Sequence, residues 1–84
     1  MNIILFGFGR AGKIHYYNCI NNPNINLKYV IDVYDISNYL NNTIKYIDYN
    51  NKSLLNKILN DTDIQAVIIE IGRAHVWTPV TDQS

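Results

Sequence analysis

The chain contains little cysteine, proline and glycine, and it has few charged side chains. It has 84 residues, of which one is cysteine, two are proline and four are glycine. A single cysteine, Cys19, excludes an internal disulfide, and no group of cysteines and histidines has the spacing of a zinc site. These shortages argue against a disulfide-rich secreted protein, and we expect a cytoplasmic one.

The charge of the chain is low and balanced. Charged residues make up 17% of the sequence, and seven basic side chains balance seven acidic ones. A net charge of zero provides no basic field for nucleic-acid phosphates or for anionic lipids. The apolar run at residues 2–6 is too short for a membrane span or the core of a signal peptide. We therefore expect neither nucleic acid nor a membrane among the partners.

Short apolar runs alternate with helical stretches along the chain. Apolar and β-branched runs predict strands at residues 2–6, 27–33, 44–47 and 66–69, whereas helices are predicted at residues 11–21, 36–40 and 52–59. The order β-α-β-α-β-α-β is typical of an α/β fold with a doubly wound parallel sheet, which here would be part of a Rossmann fold. A chain of this length allows one small domain.

The helical spacing also predicts which side chains are buried. In the first helix the expected buried face consists of Ala11, Ile14, His15, Asn18 and Cys19, and in the third it consists of Leu54, Leu55, Ile58 and Leu59. The third helix is preceded by Asn50 and Asn51, which are good capping residues. His15 has no evident catalytic partner, so we expect it to be structural, with a hydrogen bond near the preceding loop.

A glycine-rich motif lies between the first predicted strand and the first predicted helix. It reads Gly7-Phe8-Gly9-Arg10-Ala11-Gly12, which is a G-x-G-x-x-G pattern. In such a motif the first glycine permits a tight turn, the second lets the backbone approach a pyrophosphate, and the third lets the helix pack closely. The phosphates would lie at the positive end of the helix dipole. The motif predicts a dinucleotide site formed by all six residues; the alternative is an ordinary strand-to-helix turn.

An acidic residue follows the motif at the distance expected for a ribose ligand. Asp32 lies 20 residues after Gly12, at the end of the second predicted strand. A carboxylate there accepts hydrogen bonds from the ribose hydroxyls of adenosine. It also favours NAD over NADP, because a 2′-phosphate would meet a like charge. NADP stays open because Arg10 could reach a phosphate, and a solvated strand end is the structural alternative for Asp32.

Three stretches of the sequence resemble the glucose-fructose oxidoreductase and inositol dehydrogenase family (Gfo/Idh/MocA). Residues 7–18 match its G-x-G-R-x-G-x-x-H-x-x-N opening, residues 29–33 (Y-V-I-D-V) resemble its second strand with the ribose-contacting acid, and residues 63–69 (D-I-Q-A-V-I-I) resemble its D-I-D-A-V-I-I strand. The resemblance implies an NAD(P)-dependent oxidoreductase that acts on a polyol or sugar hydroxyl, as a homo-oligomer.

The resemblance also implies that catalysis lies elsewhere. In this family a lysine of a Glu-Lys-Pro motif, with a downstream aspartate and histidine of a second domain, carries the hydride-transfer chemistry. No Glu-Lys-Pro motif occurs among the 84 residues. We therefore assign no catalytic residue and no metal ligand, and we expect this chain alone to be inactive as an enzyme.

Two alternatives to this family stay open. Glyceraldehyde-3-phosphate dehydrogenases share a Gly-Phe-Gly-Arg-x-Gly loop, but His15 and Asn18 are not expected in them. The path from Asp32 to the strand at 66–69 is also short for that family, and no active-site cysteine motif is present. The other alternative is a non-enzymatic module that binds NAD as a signal.

The sequence departs from the family pattern at Glu70. Residues 70–81 (E-I-G-R-A-H-V-W-T-P-V-T) match the translation of a sequencing adapter in which the stop codon is read as tryptophan. We therefore expect residues 1–69 to be part of an N-terminal dinucleotide-binding domain and residues 70–84 to be a non-native tail. The alternative is a native tail in which Arg73 and His75 are functional.

Overall fold

The fold is a four-stranded, all-parallel sheet with a helix on each face. A computed structural model describes residues 1–70. Its elements are β1 (Asn2–Phe6), α1 (Arg10–Ile20), β2 (Asn26–Asp32), β3 (Lys45–Asp48), α2 (Lys52–Leu59) and β4 (Ala66–Ile69). The predicted α/β class with a parallel sheet is confirmed. Residues 71–84 lie outside the described part, so the interpretation of the tail as adapter sequence stays a prediction.

The strand order places a crevice next to β1. The order is β3-β2-β1-β4, and all three pairings are parallel. The chain therefore moves outward from β1 to β3 and then returns to the other side of β1 to form β4. This order is the first part of the 3-2-1-4-5-6 order of doubly wound folds, in which ligands bind beyond the carboxyl ends of the strands where the direction reverses.

Alternation along the strands produces two apolar layers, one on each face of the sheet. Ile3 and Leu5 of β1 pack with Tyr16 and Cys19 of α1 on one face. Ile4 of β1 packs with residues of α2 on the other face, in a layer that includes Ile31, Ile47, Leu55, Ile58 and Val67. Because β1 is covered on both faces, its residues 3–6 form a continuous apolar run.

The buried face of α1 differs from the predicted one. Gly12, Tyr16 and Cys19 are buried, whereas Ile14 is 58% exposed. The rotation of the helix is fixed by the close approach of Gly12 to the preceding loop. It is also fixed by the Tyr16 hydroxyl, which accepts a hydrogen bond of 2.8 Å from the backbone N–H of Asn41. These contacts outweigh the burial of one isoleucine.

The connection between β2 and β3 contains less helix than predicted. Instead of a helix at residues 36–40, a single 3₁₀ turn covers Ser37–Tyr39. The Asp35 side chain accepts hydrogen bonds from both the backbone N–H and the hydroxyl of Ser37. Such local bonds favour turns over a continued helix. The observed order is therefore β-α-β, a 3₁₀ turn, and β-α-β.

The second helix and the last strand have the predicted bounds. The side chain of Asn51 caps α2 by accepting a hydrogen bond of 3.3 Å from the backbone N–H of Leu54. Leu55 and Ile58 are buried as predicted, and Leu54 is half-buried, but Leu59 is 39% exposed. The helix packs on the face of the sheet opposite α1.

Candidate functional site

An open crevice of about 450 Å³ lies at the carboxyl edge of the sheet, between the ends of β1 and β2 and the start of α1. Its lining includes all seven residues predicted from the sequence, namely Gly7, Phe8, Gly9, Arg10, Ala11, Gly12 and Asp32. The remaining lining residues are Phe6, Ile31, Val33, Tyr34, Ile36 and Glu70. The structure therefore brings every predicted site residue to one place.

Two of the three motif glycines are required by the turn itself. Gly7 has a φ of +104°, and a side chain there would also overlap the carbonyl oxygen of Glu70. A side chain at Gly12 would overlap the carbonyl oxygen of Gly7. The first glycine thus supplies the conformation that only glycine adopts easily, and the third allows α1 to begin directly against the loop.

Gly9 has no such structural requirement. Its φ is −75°, which any residue adopts, and a Cβ built on it meets no atom within 4 Å. The space above Gly9 belongs to the crevice. A side chain at this position would fill part of the volume that a ligand needs. The absence of a side chain at Gly9 therefore fits close approach of a ligand to the backbone.

The start of α1 faces the same crevice. Gly9 is the N-terminal capping residue but provides no side-chain cap, and the first turn contains no acidic residue. The ladder of helical hydrogen bonds begins with the N–H of Lys13 donating to the carbonyl of Gly9. The N–H groups of residues 10–12 precede that bond and have no acceptor within the helix. Together with the helix dipole, they suit an anion such as a diphosphate.

Asp32 is held at the end of β2 by hydrogen bonds to backbone and side-chain groups. Its Oδ2 accepts a bond of 2.8 Å from the N–H of Phe8, and its Oδ1 accepts one of 3.0 Å from the N–H of Tyr34. Its carbonyl oxygen accepts from the N–H of Tyr49 and the hydroxyl of Tyr46. The residue is half-buried, and both of its carboxylate oxygens accept hydrogen bonds from the chain itself.

The carboxylate of Asp32 keeps the capacity to bind a vicinal diol. Each carboxylate oxygen has two lone pairs, and the bonds from Phe8 and Tyr34 use one on each oxygen. The second lone pair of each oxygen suits the 2′- and 3′-hydroxyls of a ribose, which both donate. A 2′-phosphate has no proton to donate at neutral pH and carries like charge. A carboxylate in this geometry therefore suits ribose hydroxyls better than a 2′-phosphate, and Arg10 is exposed on the same crevice.

The side chain of Phe8 belongs mainly to the core. It is buried and packs edge-on against Tyr16, with 5.3 Å between the ring centroids. The ammonium group of Lys13 lies 5.8 Å from the Phe8 ring and 5.9 Å from the Tyr39 ring. Phe8 therefore anchors the loop to the helix through its ring and lines the crevice next to Gly9.

Sequence reasoning missed the apolar wall of the crevice. Val33 and Tyr34 directly follow Asp32 and are exposed, Tyr34 to 75%, while Ile36 is buried. All three line the crevice. Their position directly after Asp32, the residue predicted to bind ribose, was the signal that could have identified them. An exposed aromatic ring beside this carboxylate offers a surface on which a flat ring could stack.

The hydrogen bond predicted for His15 is formed with a residue that was assigned to the tail. The Nε2 atom of His15 lies 2.9 Å from Oε1 of Glu70, whose side chain is 9% exposed. The N–H of Glu70 donates to the carbonyl of Phe6, so its backbone extends the pairing of β4 with β1. The contact joins α1 to the end of β4 at the rim of the crevice, which agrees with a structural role for His15.

Clusters of metal-ligating side chains and membrane-spanning helices are both absent from residues 1–70. No group of three or more histidine, cysteine, aspartate or glutamate side chains in this range could hold a metal ion. No helix in the same range is long and apolar enough to cross a membrane.

Comparison with known proteins finds no match among family models, curated proteins or solved structures. The family resemblance therefore depends on the three matching stretches of sequence.

Proposed function

We propose that residues 1–69 bind the adenosine diphosphate portion of NAD(P), with a preference for NAD, as the N-terminal part of an NAD(P)-dependent dehydrogenase. The observation that carries the proposal is the convergence of three features on one crevice. These features are the open space above Gly9, the start of α1 without a side-chain cap, and the carboxylate of Asp32. The first two both follow from the absence of a side chain at Gly9, whereas Asp32 belongs to a separate segment, and together they suit a diphosphate joined to a ribose.

The three features assign parts of the ligand to parts of the crevice. The diphosphate would lie over Gly9 and accept hydrogen bonds from the N–H groups at the start of α1. The ribose hydroxyls would donate to Asp32. The base would then lie toward Val33 and Tyr34, which form an apolar and exposed surface. When bound, the nicotinamide supplies or takes up a hydride at its C4 atom.

The dehydrogenase part of the proposal depends on the family resemblance. The substrate would be a polyol or sugar, and its hydroxyl-bearing carbon would exchange the hydride with the nicotinamide. The residues that handle the proton would lie in a part of the protein that follows residue 69. Determining the genomic sequence downstream of Ile69 tests this point. A Glu-Lys-Pro motif and a substrate domain would support a dehydrogenase, whereas an effector domain would support an NAD-sensing module.

Binding of NADH and NADPH to the chain and to two variants tests the cofactor assignment. Asp32→Ser should weaken NADH binding by about tenfold or more and reduce the preference for NADH over NADPH, since the ribose loses its acceptor. Asp48→Ser is the matched control, because Asp48 ends the neighbouring strand and is exposed but does not line the crevice. Unchanged NADH affinity in Asp32→Ser, measured by NADH fluorescence, would overturn the role of Asp32.

A further inference from the structure

We propose that Asp32 is also a positioning residue, which holds the glycine-rich turn in its anion-binding shape before any ligand arrives. The structural unit is the Asp32 bridge, defined here as the carboxylate of Asp32 with the N–H groups of Phe8 and Tyr34. The identity of the ligand rests on the proposed function, whereas the bridge itself is a property of the free chain. Loss of the bridge should weaken the binding even of a ligand that has no ribose.

The bridge joins two segments that are distant in sequence. Phe8 N–H donates to Oδ2 of Asp32 across 24 residues, at 2.8 Å, while Tyr34 N–H donates to Oδ1 at 3.0 Å. Bonds from amides to a carboxylate are stronger than bonds between neutral groups. The backbone of Asp32 is itself fixed, because its carbonyl accepts bonds from β3 and its extension, through Tyr46 and Tyr49.

The turn needs such a restraint because of its composition. Phe8 lies between Gly7 and Gly9, and glycine loses more conformational freedom on ordering than any other residue. The N–H of Gly7 is tied to the carbonyl of Ile31, and the carbonyl of Gly9 accepts from Lys13 at the start of α1. The bond from Phe8 to Asp32 fixes the peptide between these two points, which determines how the turn presents its backbone to the crevice.

Binding of inorganic pyrophosphate distinguishes this role from a contact with ribose. Pyrophosphate has no hydroxyl for Asp32 to bind, so a carboxylate that only recognises ribose would not assist it. Removing a negative charge near an anion site should by itself strengthen anion binding. If the bridge positions the turn, the variant Asp32→Asn should instead bind pyrophosphate more weakly, by about threefold or more. The sign of the change therefore separates the two roles.

The variant Asp35→Asn is the matched control for charge. Asp35 follows the same strand and carries the same charge, but within residues 1–70 its carboxylate accepts bonds only in its own turn, from Ser37. Its replacement should leave pyrophosphate affinity unchanged or slightly raised. Isothermal titration with pyrophosphate measures both variants against the unmodified chain. Equal or tighter binding of pyrophosphate by Asp32→Asn would overturn the proposal.

Hydrogen exchange of single amides, measured by NMR without ligand, tests the bridge directly. The amides of Phe8 and Tyr34 should be protected in the unmodified chain. In Asp32→Asn at least one of them should exchange about tenfold faster or more, because an amide side chain has a single oxygen to accept with. The amide of Gly7, which is bonded to Ile31, is the internal control and should keep its protection.

The result of the exchange experiment does not depend on the proposed function, because exchange is measured without ligand. Rapid exchange of the Phe8 amide in the unmodified chain, alone or with every other amide, would overturn the bridge. Protection that Asp32→Asn leaves unchanged would overturn it as well. A protected Phe8 amide in a chain that binds neither NADH nor pyrophosphate would leave the bridge in place as a structural contact but overturn both the positioning role and the proposed ligand.

Discussion

The carbonyl oxygen of Gly7 lies so close to the α-carbon of Gly12 that no side chain fits between them. The contact joins the end of β1 to the first turn of α1 and sets the angle and rotation of the helix. It explains why Tyr16 rather than Ile14 faces the sheet. Tyr16 lies four residues after Gly12 and so on the same face of the helix, whereas Ile14, two residues after Gly12, does not. The glycine pattern thus determines the position of the helix as well as the shape of the crevice.

Gly12→Ala should destabilise the fold even though alanine is the better helix former. The added methyl would overlap backbone, which cannot move aside as a flexible side chain can, so we expect a loss of about 1–3 kcal/mol in the free energy of unfolding. Urea denaturation followed by circular dichroism measures this loss. Asn18→Ala, at an exposed position of the same helix, is the control and should be neutral or stabilising. Equal stability of the Gly12→Ala chain would contradict the close contact.

Gly9→Ser should separate ligand binding from stability. Serine is a good N-terminal cap, and a Cβ at this position meets open space, so the free energy of unfolding should be unchanged or higher. The new side chain would occupy the crevice and bond to the N–H groups that the diphosphate needs. We expect NADH affinity to fall by about tenfold or more. A Gly9→Ser chain that binds NADH normally would argue against ligand approach over Gly9.

Tyr16→Phe should weaken the attachment of the β2–β3 connection to α1. The variant keeps the buried ring but leaves the N–H of Asn41 without the hydroxyl that accepts its bond. We expect a loss of about 1 kcal/mol in the free energy of unfolding and faster hydrogen exchange at Asn41. Tyr17→Phe is the matched control, because Tyr17 is the next residue and is exposed. Similar effects of the two substitutions would rule out a special role for the Tyr16 hydroxyl.

Cys19 should react slowly with thiol reagents in the folded chain. Burial raises the pKa of its thiol, which is also shielded within the core. Because the folded pKa lies above the unfolded one, the unfolded chain loses its thiol proton first. The neutral, buried thiol therefore makes a contribution to stability that is present below about pH 8.5 and is lost as the pH rises through the folded pKa.

A comparison with Cys19→Ala isolates this contribution from those of other groups. Between pH 8 and pH 10, the unmodified chain should lose more stability than the Cys19→Ala variant does. Identical pH dependence of the free energy of unfolding in the two chains, or rapid labelling of Cys19 in the absence of urea, would show that the thiol is not buried as described.

Features that depend on local pattern could be predicted from the sequence. The β-branched run Ala66–Ile69 and the amphipathic segment Lys52–Leu59 have the predicted bounds, because nearby residues determine them. The seven site residues meet in one crevice because a parallel sheet brings the ends of β1 and β2 to the same edge. Spacing along the chain was sufficient to predict that they lie together.

Features that depend on contacts between distant segments could not be predicted. The exposure of Ile14 follows from the approach of Gly12 to the loop, which no helical periodicity reveals. The bond from Phe8 to Asp32, and the identity of Glu70 as the partner of His15, depend on segments 24 and 55 residues apart. The 3₁₀ turn at Ser37–Tyr39 is a different case, because there the local bonds between Asp35 and Ser37 outweigh the helix-like spacing of residues 36–40.

An NMR titration of the ¹⁵N-labelled chain with NADH tests the central claim most directly. If the crevice binds the adenosine diphosphate portion, the amide signals of Gly7, Gly9, Ala11 and Tyr34 should shift in a saturable manner. The signals of α2, on the far side of the sheet, should stay in place. Saturating NADH that shifts no signal in the glycine-rich turn, or that shifts α2 instead, would contradict the account.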